Sequence, residues 1–265
     1  KMAKIVFLGT AAAVASAQRD NTSLLFVDDS RVKFLIDCAG SPVAKLAKLG
    51  FDYRQISNLI LTHTHVDHIY GVPSLLHSQY KLSNRVSIFG TQECLLLIRG
   101  LISFHRLEDP KKFPEVSFQT IPVDKNNFVL YESEKTFISS FPVKHAPDSI
   151  GLKIHLKKPP LTCVYSGDTA LSKKVIEEAR GADYLIHDCA CPSRLAKGLE
   201  EVHTSALALG EIAEEAQVKT LIPIHFLTEI DFRMEEIESE LRKSFSGNLI
   251  IPSDFDSLEL TPQPS

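Results

Sequence analysis

In the first half of the chain, apolar residues come in short runs broken by turn-forming residues. The runs predict strands from Lys4 to Leu8, Ser23 to Val27, Val32 to Ile36 and Asn58 to Thr62. One helix interrupts them: Ser41 can cap it, Pro42 suits its first position, Val43, Leu46 and Ala47 make one face, and Gly50 stands where a C-terminal cap belongs. Pro73 to Tyr80 is expected to be helical, Val86 to Phe89 a strand, and Thr91 the cap of a helix through Leu95 and Ile98.

The pattern then repeats. Val116 to Leu156 returns to strands and Thr162 to Ser166 follows, after which Ser172 caps a helix carrying Val175, Ile176 and Ala179. Tyr184 to Ile186 reads as a strand ending at His187-Asp188. Thr204 or Ser205 caps a helix with Leu209, Ile212, Ala213 and Ala216 at helical spacing, and Lys219 to His225 is a further buried strand. A last amphipathic helix turns Ile237 and Leu241 inward, ahead of a Pro/Ser tail. Strands followed by helices, twice over, place the chain in the α+β class.

One segment carries chemistry that packing does not require. His63-Thr64-His65-Val66-Asp67-His68 directly follows the apolar run Leu59 to Thr62, so a buried strand delivers three imidazoles and a carboxylate into one loop. Alternate residues of an extended stretch point the same way, which lets His63 and His65 grip one divalent ion. As the loop rolls into a helix, Asp67 and His68 turn aside and can serve a second ion about 3.5 Å or so away, the usual separation in two-metal hydrolases. A surface loop that happens to be rich in histidine is the alternative.

His-x-His-x-Asp-His resembles the signature of the metallo-β-lactamase superfamily, and Ile69-Tyr70-Gly71-Val72-Pro73-Ser74-Leu75-Leu76 is similar to its continuation in the ribonuclease Z branch. Phe7-Leu8-Gly9-Thr10, Arg19-Asp20-Asn21-Thr22-Ser23, Leu35-Ile36-Asp37-Cys38 and Ser166-Gly167-Asp168-Thr169 agree, in family order, from about residue 4 to residue 226. The resemblance implies a four-layer αββα sandwich, formed by residues 1–265 as a single hydrolase domain, and two divalent metal ions, zinc foremost with manganese or iron as alternatives. It also carries over further ligands: His145 to join His63 and His65, His225 to join Asp67 and His68, and Asp168 to bridge the ions. Taken singly, each of these has an ordinary alternative as a hydrogen-bonded strand-end or turn residue.

Ligand types sort the branches. Redox di-iron members replace the second His of the motif with Glu, whereas His65 stands here; antibiotic-hydrolysing members put Cys on the second ion, whereas Asp168 occupies the bridging position. The first difference favours hydrolysis over electron transfer and the second points away from lactam cleavage; the resemblance then implies a phosphodiesterase in which two ions activate a bridging hydroxide while Asp67 holds or accepts its proton. His203, in Glu201-Val202-His203-Thr204-Ser205, is similar to the branch's proton donor, and Asp188 stands where its partner acid belongs, with a shorter reach than the usual Glu. A helix-start His bonded to backbone is the other reading of His203, and His77, His105 and His155 read as structural or surface residues.

The sequence departs from ribonuclease Z in one large feature. That branch inserts a long tRNA-gripping arm, but here only ten residues separate Ile154 from Tyr165. Substrates are therefore expected to be phosphodiesters, either small molecules, cyclic ones included, or RNA 3′ ends. Arg99 to Glu115, with His105, Arg106, Lys111 and Lys112, reads as a solvated connector or as a phosphate-contacting lid. A lactone or other ester hydrolase, which would need an oxyanion donor such as Tyr, is the same-class alternative, and a catalytically silent interaction scaffold is the remote one.

Composition narrows the partners. With 44% hydrophobic and 23% charged residues the chain has the makings of an ordinary globular enzyme, and a net charge of −4 without long basic runs excludes wholesale nucleic-acid binding, DNA included. Cys38, Cys94, Cys163, Cys189 and Cys191 are odd in number and sit in apolar contexts, so they read as reduced core thiols in the cytoplasm; metal binding by Cys189 and Cys191 is the minor alternative. Ile5 to Ala13 and Ala15-Ser16-Ala17 imitate a secretory signal, but Ile5 to Leu8 reads as the first strand and Lys1, ahead of Met2, as an expression leftover. No apolar stretch approaches membrane length, so no membrane association is expected. A homodimer is an expectation from the resemblance.

Overall fold

Side chains alternate between two apolar clusters along the first strands. In β1 (Lys4–Gly9) Ile5 and Phe7 enter one cluster and Val6 and Leu8 another; β2 (Ser23–Val27) divides Leu24 and Phe26 from Leu25 and Val27, and β3 (Lys33–Ile36) divides Phe34 and Ile36 from Leu35. A strand with a period of two and apolar residues on both faces must be covered on both sides. The computed structural model describes residues 2–263, so Lys1 and the end of the Pro/Ser tail lie outside the described residues.

The covering elements follow in chain order. α1 (Pro42–Lys48) and β4 (Asn58–Ile60) precede α2 (Val66–Ile69), α3 (Val72–Ser78), β5 (Arg85–Gly90), α4 (Gln92–Phe104) and β6 (Glu115–Thr120). The second half runs β7 (Phe128–Glu132), β8 (Thr136–Val143), β9 (Ser149–Lys157), β10 (Pro160–Tyr165), α5 (Lys173–Glu178), β11 (Tyr184–Asp188), α6 (Ala206–Glu215), β12 (Thr220–Ile224), α7 (Met234–Ser244), β13 (Asn248–Leu249) and β14 (Ser257–Glu259). One sheet has the order β14-β1-β2-β3-β4-β5-β6 and the other β13-β12-β11-β10-β9-β8-β7.

The sheets share one core. Phe7, Phe26, Ile36 and Ile60 of the first meet Ile138, Leu152, Cys163, Ile186 and Ile222 of the second. Outside, α1, α3 and α4 cover the first sheet, and α5, α6 and α7 cover the second. Each fully buried Ile, Leu or Phe contributes about 2 kcal/mol, so three apolar layers supply the driving force for a four-layer αββα sandwich.

Several local expectations change. Thr91 caps α4 through Cys94 N–H and Ser205 caps α6 through Ala208 N–H, but the Ser41 and Ser172 hydroxyls make no capping bond. Ala47 is exposed while Lys45 is buried, because Lys45 Nζ lies 3.0 Å from Asp20. β4 stops at Ile60, β11 runs on through His187 and Asp188, and the tail after α7 adds an edge strand to each sheet. α4 claims Arg99 to Phe104, so the supposed connector is partly helix. Lys157 pairs with Pro160, so β9 and β10 form a tight hairpin where an arm would have been inserted.

Candidate metal centre

The site gathers at the ends of four strands and in one short helix. Thr62 and His63 leave β4, the short helix α2 presents Asp67 and His68, His145 lies two residues past β8, Asp168 follows β10, and His225 follows β12. Gly167 makes the turn into Asp168: its φ is +61°, and a Cβ there would meet the Ile150 carbonyl at 2.6 Å, so glycine alone fits.

Three groups of donors converge. His63, His65, His145 and Asp168 form one; Asp67, His68 and His225 form a second; Asp168, His203 and His225 form a third. His63 Nε2 is 3.0 Å from His65 Nδ1, which is 3.2 Å from His145 Nε2. Asp168 Oδ2 lies 3.6 Å from His63 Nε2, 3.2 Å from His68 Nε2 and 3.1 Å from His225 Nε2, so it touches both sets. Asp67 Oδ2 is 3.4 Å from His68 Nε2 and 3.8 Å from His225 Nε2.

These donors fit a divalent ion better than they fit each other. The Nε2 atoms of His68 and His225 are buried and lie 3.2 and 3.1 Å from Asp168 Oδ2, but neither is aligned for a hydrogen bond. Burying such nitrogens unpaired is costly, while a cation between lone pairs and carboxylates satisfies all of them. Burial favours the neutral form of His63, His65 and His145 and holds all three below the ordinary histidine value, which suits ligand duty. Burial works against the charge on Asp168, but His225 and His68 beside it hold its carboxyl well below the usual range, and the same pair lowers Asp67. For His68 and His225 burial opposes charge and the carboxylates outweigh it, which raises both.

Outer contacts aim the rings. His68 Nδ1 lies 2.9 Å from Asp37 Oδ2, His145 Nδ1 lies 2.8 Å from the Val202 carbonyl, and His63 Nδ1 lies 3.0 Å from Thr62 Oγ1. His203 Nδ1 is 2.8 Å from Asp188 Oδ2, which also accepts Thr169 N–H at 3.1 Å. Asp37 and Tyr165, whose hydroxyl reaches Asp37 at 3.4 Å, were missed as site residues. The signal for Asp37 was the acid closing the apolar run Leu35-Ile36.

The remaining expectations fall elsewhere. Cys189 and Cys191 join no ligand cluster among the described residues; both lie in apolar clusters, and burial pushes the Cys191 thiol up to about 11. Residues of the 99–115 segment wall a separate cavity of about 580 Å³, and none lines the mouth of the metal centre. His77 packs beside Phe113 with the rings tilted, and His155 Nδ1 lies 3.2 Å from Thr162 Oγ1. Among the described residues no helix is long and apolar enough to cross a membrane.

Known proteins share this architecture. The chain is 28% identical to "Ribonuclease Z" of Archaeoglobus fulgidus over 97% of its own length and 98% of that protein's, and 25% identical to "Ribonuclease Z" of Haloarcula marismortui over 95% and 94%. Among solved structures, the metallo-beta-lactamase fold protein YhfI from Bacillus subtilis superposes with a TM-score of 0.81 at 20% identity, covering 97% of this chain and 99% of that one. The short form of human tRNase Z gives 0.78 at 22%, covering 96% and 98%. The ribonuclease Z-like resemblance and the αββα fold therefore hold. The model of the family described as "Anti-Pycsar protein Apyc1" matches residues 3–239, and the chain belongs to that family of metallo-β-lactamase-fold, metal-dependent hydrolases.

Proposed function

We propose that the protein is a phosphodiesterase for small substrates, working as one domain with two divalent ions, zinc first among them. His63, His65 and His145 would hold one ion, Asp67, His68 and His225 the other, and Asp168 both. When bound, such ions lower the pKa of a coordinated water from about 16 toward about 7 and neutralise phosphate oxygens.

The chain's own groups do the rest. Asp67 faces the open side of the centre, and His68 and His225 keep it ionised, so it can accept a hydrogen bond from an attacking water and orient it. Asp188 fixes a proton on Nδ1 of His203, which orients the ring at the mouth. Burial works against the charge on His203, but Asp188 beside it holds the ring above its usual value, so it can protonate a leaving alkoxide.

The observation that carries the small-substrate reading is the mouth itself. It is about 230 Å³ and is lined by Ala12, Ala13, His65, Val66, Asp67, Asp168, His203, His225 and Leu227, with no Lys or Arg among them. Beyond the proposed ions and His203, that lining offers no cation for a second phosphate. RNA 3′ ends are the second reading, supported by relatives named Ribonuclease Z, but the tight β9–β10 turn removes the distant phosphate contacts on which a large RNA depends for affinity. Lactone cleavage is disfavoured because the mouth-lining residues include no Tyr, Ser or Thr hydroxyl to serve as oxyanion donor.

The test is competition: zinc- or manganese-loaded protein is given a cyclic nucleotide and an RNA with a 3′ extension. Faster turnover of the cyclic phosphodiester supports the reading, and preferential cleavage of the RNA overturns it.

A further inference from the structure

Thr10 is fully buried, and its two ends are held by different parts of the chain. Its carbonyl accepts the backbone N–H of His225 at 2.8 Å and of Phe226 at 3.1 Å. Its hydroxyl donates to Asp254 Oδ1 at 2.7 Å and accepts from Arg19 Nη1 at 2.6 Å. The other Asp254 oxygen accepts Asp20 N–H at 2.6 Å, while Arg19 also reaches the Pro252 carbonyl at 2.7 Å and lies 4.9 Å from the centre of the Phe226 ring. The segment between β13 and β14 is itself laced to β1, with Phe255 N–H on the Phe7 carbonyl and Phe7 N–H on the Asp256 carbonyl.

His225 needs such a clamp. Its φ is +66°, a left-handed conformation that non-glycine residues rarely adopt, so the direction of its ring depends on what fixes the backbone around it. The most direct described route from the C-terminal segment to that backbone runs through Thr10, whose carbonyl takes the His225 N–H itself; a longer one passes from Asp254 through Asp20, Ala11 and Ala12 to the Phe226 carbonyl and reaches no atom of His225.

We infer that Asp254 is a positioning residue for His225, acting through Thr10, and that it sets how tightly the ion of the Asp67–His68–His225 group is held. The inference rests on the proposed metal reading. A clip that merely stabilised the fold would weaken both ions alike, whereas this contact ends on a ligand assigned to one of the two proposed ions.

The experiment is a zinc titration of metal-stripped full-length protein against a competing chromophoric chelator, which resolves the two binding steps. The wild-type protein is expected to take two ions. Asp254→Ala should weaken one step by about tenfold or more. That step should be the one lost in His225→Ala, with the other unchanged. Thr10→Val, which keeps the volume and the carbonyl, should reproduce the effect if Asp254→Ala folds poorly, and Thr10→Ser should restore wild-type binding. Unchanged steps in both variants, or equal weakening of both steps with a lower melting temperature of the metal-free protein, would overturn the inference. A wild-type protein that binds no zinc would overturn the parent reading as well, and that result is distinct from the others.

Discussion

Asp37 Oδ2 lies 2.9 Å from Nδ1 of His68, although 31 residues separate them, and this contact turns the Nε2 of His68 toward Asp67 and Asp168. Asp37 also accepts Thr62 N–H at 2.8 Å, so one buried carboxylate fixes both the strand end that launches the histidine loop and a ring within it. Its φ of +56° suits Asp or Asn better than other side chains.

Asp37→Ala is therefore expected to weaken metal affinity by about 10- to 100-fold, with Asp37→Asn milder because it keeps an acceptor and tolerates the backbone. Chelator competition reads both. Equal affinity in wild type and Asp37→Ala would show that the ring is aimed by packing alone.

His203 should matter in proportion to the leaving group. For an alkoxide leaving group, His203→Ala is expected to lower kcat by about 100-fold with KM little changed. For a nitrophenolate, which departs without a proton, the loss should be a few-fold at most. Asp188→Asn should give a smaller version of the same pattern. A uniform loss across leaving groups would assign His203 to structure.

Metal removal should destabilise the fold, since seven donor side chains lose their common partner. At a free zinc concentration about a hundredfold above Kd each of the two proposed ions would contribute about 2.7 kcal/mol, about 5 kcal/mol together, which corresponds to a melting temperature higher by about 10 to 20 °C than in chelator. Scanning calorimetry with and without zinc checks this. Coincident melting would mean that the ions bind folded and unfolded chain equally.

A pH test away from the centre concerns Glu178. Burial raises its carboxyl, but Lys174 Nζ at 2.7 Å and Lys153 Nζ at 3.2 Å outweigh it and hold the group below its ordinary value of 4.5. A lowered folded value means that the contribution is complete above the unfolded value and disappears as the pH falls through the folded one. Glu178→Gln should therefore lower the melting temperature at pH 7 and converge with wild type well below pH 4.5. A constant difference at all pH values would assign the effect to packing.

What could be read in advance was local. Ile5, Val6, Phe7 and Leu8 announce a buried strand as an unbroken apolar run, and four ligand-type residues in six announce a metal loop. Asp37 carries no such spacing; its meaning comes from His68, a partner in another element. β13 and β14 carry no sequence signal because they span two and three residues, too short for any periodicity, and exist through pairing with β12 and β1. Helical spacing puts Ala47 on the inner face of α1 and says nothing of Asp20, whose pairing with Lys45 buries Lys45 instead.

The most direct measurement of the central claim is the rate at which zinc- or manganese-loaded protein hydrolyses an aryl phosphodiester, beside the chelator-treated protein and Asp67→Ala prepared identically. The account predicts turnover in the loaded wild type that falls to background in both controls and returns to the chelated protein when metal is restored. Turnover that survives chelation and the substitution, or loaded protein that cleaves carboxylic esters and leaves the phosphodiester intact, would contradict it.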